Sequence, residues 1–208
     1  MIDSLLKKLG KIGSAWKGKD YLEGGLFSLT SAHVTLETKL GLISTNRCGI
    51  CVKNVNGTYF SNTIREVQEF LRISSSEFQT KHILVNDRYG YLWIVIRGLS
   101  IEDILVASNG IEDIITDRGF RDQVLAAVFE FRKDPVSSSS SNKVEPQFLI
   151  FNYNRQKFYP FVPLGIQEKR RNDLELTIMS IISKEIPWES DMTLWYPLWD
   201  MPFDKLKF

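Results

Sequence analysis

The chain has 208 residues, 43% of them hydrophobic, with 26 Lys and Arg against 25 Asp and Glu. A chain of this length buries a sizeable core without cross-links, so its two Cys are not needed as a disulfide scaffold. A formal net charge of +1 gives the whole molecule no strong pull on nucleic acid, and no apolar run reaches the ~20 residues of a membrane span.

Residues 1–19, MIDSLLKKLGKIGSAWKGK, hold five Lys and one Asp, a net +4 that leaves about −3 for the remainder. Ile2, Leu5, Leu6, Leu9, Ile12 and Trp16 fall near helical spacing, with Lys7, Lys8 and Lys11 on the other face. A basic amphipathic helix of low mean hydropathy suits an anionic membrane surface, where each Lys contributes about 1 kcal/mol. The membrane-contact candidates are therefore Leu5, Leu6, Leu9, Ile12 and Trp16 with Lys7, Lys8 and Lys11. The competing reading docks the same helix on its own domain. The apolar residues are spaced rather than contiguous and lack a small-residue cleavage site, which argues against a signal peptide and for a cytoplasmic location, peripheral at the inner face of the membrane.

Gly24-Gly25 divides this segment, residues 1–23, from a single domain over 24–208. LFSLTSAHVTLETKLG predicts a helix that stops at Gly41. In RCGICVKNVNGTYF, Asn56-Gly57 between apolar runs predicts a hairpin. Thr63 and Glu66 fit a capping box for a helix carrying Ile64, Val67, Phe70 and Leu71. KHILVNDRYGYLWIVIRG predicts two strands around a turn at Asn86, Asp87 and Gly90, and the unbroken apolar run Leu92–Ile96 predicts a strand covered on both faces. Ser100 and Asp103 cap the next helix, whose inner stripe is Ile101, Ile104, Leu105, Ser108, Ile111 and Ile115. QVLAAVFEF returns as a strand, and residues 135–142, PVSSSSSN, form a flexible loop. QFLIFNYNRQKFYPFVP predicts a hairpin with Pro160 on an edge strand. A last helix carries Leu174, Ile178, Ile181 and Ile182, and an aromatic tail occupies 187–208. The pattern defines an α+β fold, a largely antiparallel sheet built from hairpins and flanked by amphipathic helices.

Chemistry is sparse. Cys48-Gly49-Ile50-Cys51 matches CxxC, but a redox pair needs its first Cys at a helix N-terminus, whereas a strand sends the two thiols to opposite faces. Zinc would need further ligands, and His33 and His82 have no partner motif. No P-loop, GxGxxG or GxSxG occurs. Glu102, Asp103, Glu112 and Asp113 occupy a helix's polar face, and the charges at 168–171 are explained by solvation. These residues predict no catalytic, cofactor or metal site and no nucleic-acid partner. The tail, LWYPLWDMPF, is different. Trp195, Tyr196, Trp199 and Phe203 offer the large rings that dominate interfaces, so they are partner-binding candidates. The alternative is that the tail closes the domain's own core.

Several stretches carry a family resemblance: FSLTSAHVTLETKLG at 27–41, YGYLWIVIRG at 89–98, RGFRDQVLAAVFEF at 118–131, FNYNRQKFYPFVP at 151–163 and WYPLWDMP at 195–202. Spread over nearly the whole chain, they resemble the PspA-associated family PspAB, found mainly in archaea beside phage-shock-protein-A-like proteins. The near-neutral charge and Ser-rich loop depart from halophilic members. The resemblance implies a non-enzymatic accessory or regulatory factor in envelope-stress response, with a PspA-like coiled-coil protein as partner and no cofactor. Looser is a likeness to secretion-chaperone-type α+β domains, which would bind a client peptide along a sheet edge near Pro160.

Overall fold

The computed structural model describes residues 25–77, 79–134, 145–165 and 168–205. The membrane-contact candidates between Leu5 and Trp16 and the loop at 135–142 lie outside the described residues.

A 3-10 turn at Gly25–Ser28 leads into α1, Leu29–Leu40. The helix stops where Gly41 takes a left-handed φ of 60° and its N–H donates to the Glu37 carbonyl, a position where a side chain would be strained. The other elements are β1 (Leu42–Lys53), α2 (Thr58–Glu77), β2 (Lys81–Asn86), β3 (Tyr91–Arg97), α3 (Ile101–Asp117), β4 (Val124–Lys133), β5 (Gln147–Asn152), β6 (Lys157–Phe161) and α4 (Asn172–Ile182). The strands form one six-stranded sheet in the order β2-β3-β1-β4-β5-β6, every neighbouring pair antiparallel. The α+β reading therefore holds. β1 lies between β3 and β4, so the two hairpin-rich halves of the chain join through its long central strand.

Strand alternation assigns the faces. Cys48, Ile50 and Val52 of β1 are fully buried beneath the helices, and Cys48 meets Ser108 of α3 at 3.3 Å. α1, α3 and α4 lie on this side, and α2 packs on α3. The stripe predicted for α3 is buried throughout, and its start carries the predicted capping box: Ser100 Oγ accepts from the Asp103 N–H while Asp103 accepts from the Ser100 N–H. The Leu92–Ile96 run is buried on both faces, as expected of a covered strand.

The hairpin predicted at Asn56-Gly57 does not form. β1 ends at Lys53, and α2 begins at Thr58, with the Ser61 N–H donating to the Gly57 carbonyl. Beyond Gly57 the buried positions are Phe60, Thr63, Val67, Phe70, Leu71 and Ser74, a helical period that overrides the turn signal. Thr63 consequently sits inside the helix, its hydroxyl donating to the Tyr59 carbonyl, and caps nothing.

Candidate functional site

The second sheet face carries Arg47, Gly49 and Cys51 from β1, Trp93 from β3, Glu130 from β4, Phe148 from β5, and Tyr159 and Phe161 from β6. No α-helix lies on it among the described residues; the C-terminal tail, with a short 3-10 helix at Pro202–Lys205, covers much of it. Phe203 packs on Phe148 with ring centroids 5.5 Å apart. Its ring reaches Gly49 so closely that a Cβ there would stand 3.0 Å from Phe203 Cζ. Trp199 meets Phe161 edge-on at 5.0 Å.

Two guanidinium–carboxylate systems, each with a half-buried Arg on a buried Glu, fasten the tail by its backbone. In the first, Glu130 is 1% exposed and accepts from Arg47 Nε at 2.6 Å, Thr45 Oγ1 at 2.7 Å and Arg132 Nη2 at 2.9 Å, while Arg47 Nη1 donates to the Phe203 carbonyl at 3.2 Å. A bulge makes this possible: β1 loses register with β4 between Ser44 and Cys48, and Asn46 takes a φ of 54°. Burial pushes the Glu130 carboxyl up, but the bonds from Arg47, Thr45 and Arg132 outweigh it and hold the group below the usual glutamate range. In the second system Arg170 Nε bonds both oxygens of Glu175 at 2.9 Å, and its Nη1 donates to the Trp195 carbonyl at 2.8 Å. Here burial wins and raises the Glu175 carboxyl despite Arg170. The Trp195 indole N–H donates to the Glu189 carbonyl, and the Tyr159 hydroxyl to that of Tyr196.

The four tail candidates therefore separate. Trp195 and Phe203 are 4% and 3% exposed and close the chain's own core. Tyr196 is 52% exposed, and Trp199 is half-buried. These two, with Pro197 and Leu198, wall a cleft of about 480 Å³. Tyr89, Tyr91, Trp93, Tyr159 and Cys51 line much of the rest, and Asp87 supplies the only charge among the described lining residues.

Cys48 faces α3 and Cys51 faces the cleft, so the CxxC thiols stand on opposite faces and both are free. Burial pushes each up to about 12, which keeps them protonated near neutral pH. Among the described residues no group of three or more His, Cys, Asp and Glu could hold a metal ion. His33 lies half-buried on α1, and His82 on β2 is held below its usual value by burial.

Sequence reasoning assigned the charges at 168–171 to solvent. Arg170 instead is half-buried and ion-paired. It also missed Arg47, Glu130 and Glu175. The available signal was a carboxylate inside an apolar pattern, Glu130 within AAVFEF and Glu175 within a buried helical stripe.

The structure thus defines an α+β domain with one sheet face under helices and the other under its own aromatic tail. A family model described as PspA associated protein B, PspAB, matches residues 2–203, and the chain belongs to that family. No curated protein and no solved structure matches the chain.

Proposed function

We propose that this chain is a non-enzymatic accessory protein that binds a PspA-like coiled-coil protein near the inner face of a membrane, within an envelope-stress response. The family name supports the association with PspA. The observation that carries the interaction reading is the tail cleft: Tyr196 and Trp199 hold large rings at an accessible rim, while Trp195 and Phe203 fix the backbone beneath them. Large rings at the rim of a pre-formed pocket favour binding, because they bury much area while only two side-chain torsions are fixed on contact. Among the described residues no helix is long and apolar enough to cross a membrane, so the membrane part of the reading rests on the basic segment at 1–23.

The client-peptide alternative placed an extended ligand along the edge near Pro160. That edge is largely taken: the Phe158 N–H donates to the Pro187 carbonyl at 2.7 Å, and the Glu189 N–H to the Phe158 carbonyl at 2.8 Å. A coiled-coil partner at the cleft is the better-supported reading.

The test is co-purification of the full-length chain with the PspA-like protein of the same cell. Tyr196→Ala and Trp199→Ala should each weaken recovery by roughly tenfold, and no recovery by the unmodified protein would refute the reading. Liposome flotation tests the membrane part: Leu5, Leu6 and Leu9 all changed to Glu should abolish binding to anionic vesicles.

A further inference from the structure

The composition of the cleft narrows what enters it. Its rings come from Tyr89, Tyr91, Trp93, Tyr159, Tyr196 and Trp199, and no Lys or Arg is among its described lining residues. Asp87 is held rigidly at its edge: Oδ1 accepts from the N–H groups of Tyr89 at 2.8 Å and Tyr91 at 2.9 Å, and Oδ2 from the Trp93 indole N–H at 2.9 Å. Those donors orient the carboxylate without neutralising its charge, and one lone pair on Oδ2 remains. The neighbouring Arg88 is ion-paired to Asp200, donates to the Tyr89 hydroxyl and stacks over Tyr89 at 4.9 Å from the ring centroid, so one face of that ring already carries a guanidinium. The Trp93 N–H and Tyr159 hydroxyl are already donated within the protein. The lining therefore offers negative ring faces and one carboxylate acceptor, with no Lys or Arg among its described residues, which suits a cationic ligand. The same face supplies a pattern of guanidinium on aromatic, with Arg47 over Phe203 at 5.8 Å and Arg170 over Phe161 at 5.5 Å.

We propose that the cleft receives an arginine side chain of the protein partner, its planar guanidinium lying against the rings and donating one hydrogen bond to Asp87. This rests on the interaction reading above and names the chemistry of its contact.

The experiment titrates the full-length protein with N-acetylarginine methylamide, following tryptophan fluorescence and the indole N–H signals, with the neutral isostere N-acetylcitrulline methylamide and acetyl-pentaproline amide in parallel. Arginine should give a saturable response, and citrulline one about tenfold weaker. Asp87→Asn should remove most of that preference. Tyr196→Ala, at an exposed side chain outside the β2–β3 turn, should weaken arginine binding to a similar degree in a folded protein. Equal response to arginine and citrulline overturns the inference, as does tighter binding of the proline peptide. Binding that emerges only after Lys17 and Lys19 are changed to Gln would assign the cleft to the chain's own N-terminal segment and also overturn it. The titration contains no partner. A cleft blind to arginine, with co-purification still lost in Tyr196→Ala, would reject this inference and leave the proposed function standing.

Discussion

Gly110 sits in the middle of α3, where glycine costs a helix about 1 kcal/mol relative to alanine. On propensity alone Gly110→Ala should stabilise the protein. The packing gives the opposite sign. A Cβ at Gly110 would lie 2.3 Å from Phe70 Cζ, 2.9 Å from Cε1 and 3.0 Å from Cε2. Carbon atoms pack at about 3.5–4.0 Å, so ring and helix must separate by roughly 1 Å. Phe70 is 1% exposed on α2 and has no solvent to swing into. Overpacking of this kind costs about 1–3 kcal/mol, or more where the backbone must shift, so the net expectation is a loss of about 1–2 kcal/mol. Urea denaturation would measure it. Phe70→Leu alone should also destabilise, by leaving a cavity, but should cost less in the Gly110→Ala background, where the added methyl fills part of that space. The double-mutant cycle should therefore show a favourable coupling near ~1 kcal/mol. A Gly110→Ala protein as stable as the original, or single effects that simply add, would refute the close-packing argument. The cleft lies on the opposite sheet face, so arginine-probe binding at low denaturant should be unchanged.

Within the tail, Trp195→Ala should cost about 3–5 kcal/mol in denaturant titration, because a buried ring and its indole N–H bond to the Glu189 carbonyl are both lost, whereas Tyr196→Ala should stay within about 0.5 kcal/mol. Equal effects would contradict the division between core and rim. Glu130 should make the fold acid-sensitive. Its folded value lies below its unfolded one, so its stabilisation is complete above the ordinary glutamate value of about 4.3 and fades as pH falls through and below it. Glu130→Gln should thus be about 2 kcal/mol or more less stable at pH 7, with the gap narrowing below about pH 4; a gap that is constant with pH would count against the paired carboxylate. Burial pushes both thiols up to about 12 and so keeps them protonated at pH 8. Iodoacetamide should therefore label Cys48 and Cys51 only after unfolding, and prompt labelling of the native protein would show that they are not buried.

Period and capping chemistry made the local structure legible. The capping box of Ser100 with Asp103, the stop at Gly41, the β2–β3 and β5–β6 hairpins and the covered β3 strand all follow from residue spacing and turn chemistry acting within a few positions. The Asn56-Gly57 turn misled for a related reason. The same dipeptide serves a hairpin or a strand-to-helix connection, and the residues after it decide between them. The tail's importance was visible in its rings, but its division was not. Trp195 and Tyr196 are adjacent aromatics, and no local rule says that one closes the core while the other faces the cleft. Burial is settled by distant partners: Arg170 and Glu189 around Trp195, and Gly49, Arg47 and Phe148 around Phe203. Residue order alone thus marks which segments become helices and strands and which rings are available for contact, because those properties are local. Folding is what brings Asp87, Trp93, Tyr159 and Tyr196 to one cleft, since hydrogen bonds and packing between segments far apart in the chain decide where their side chains meet.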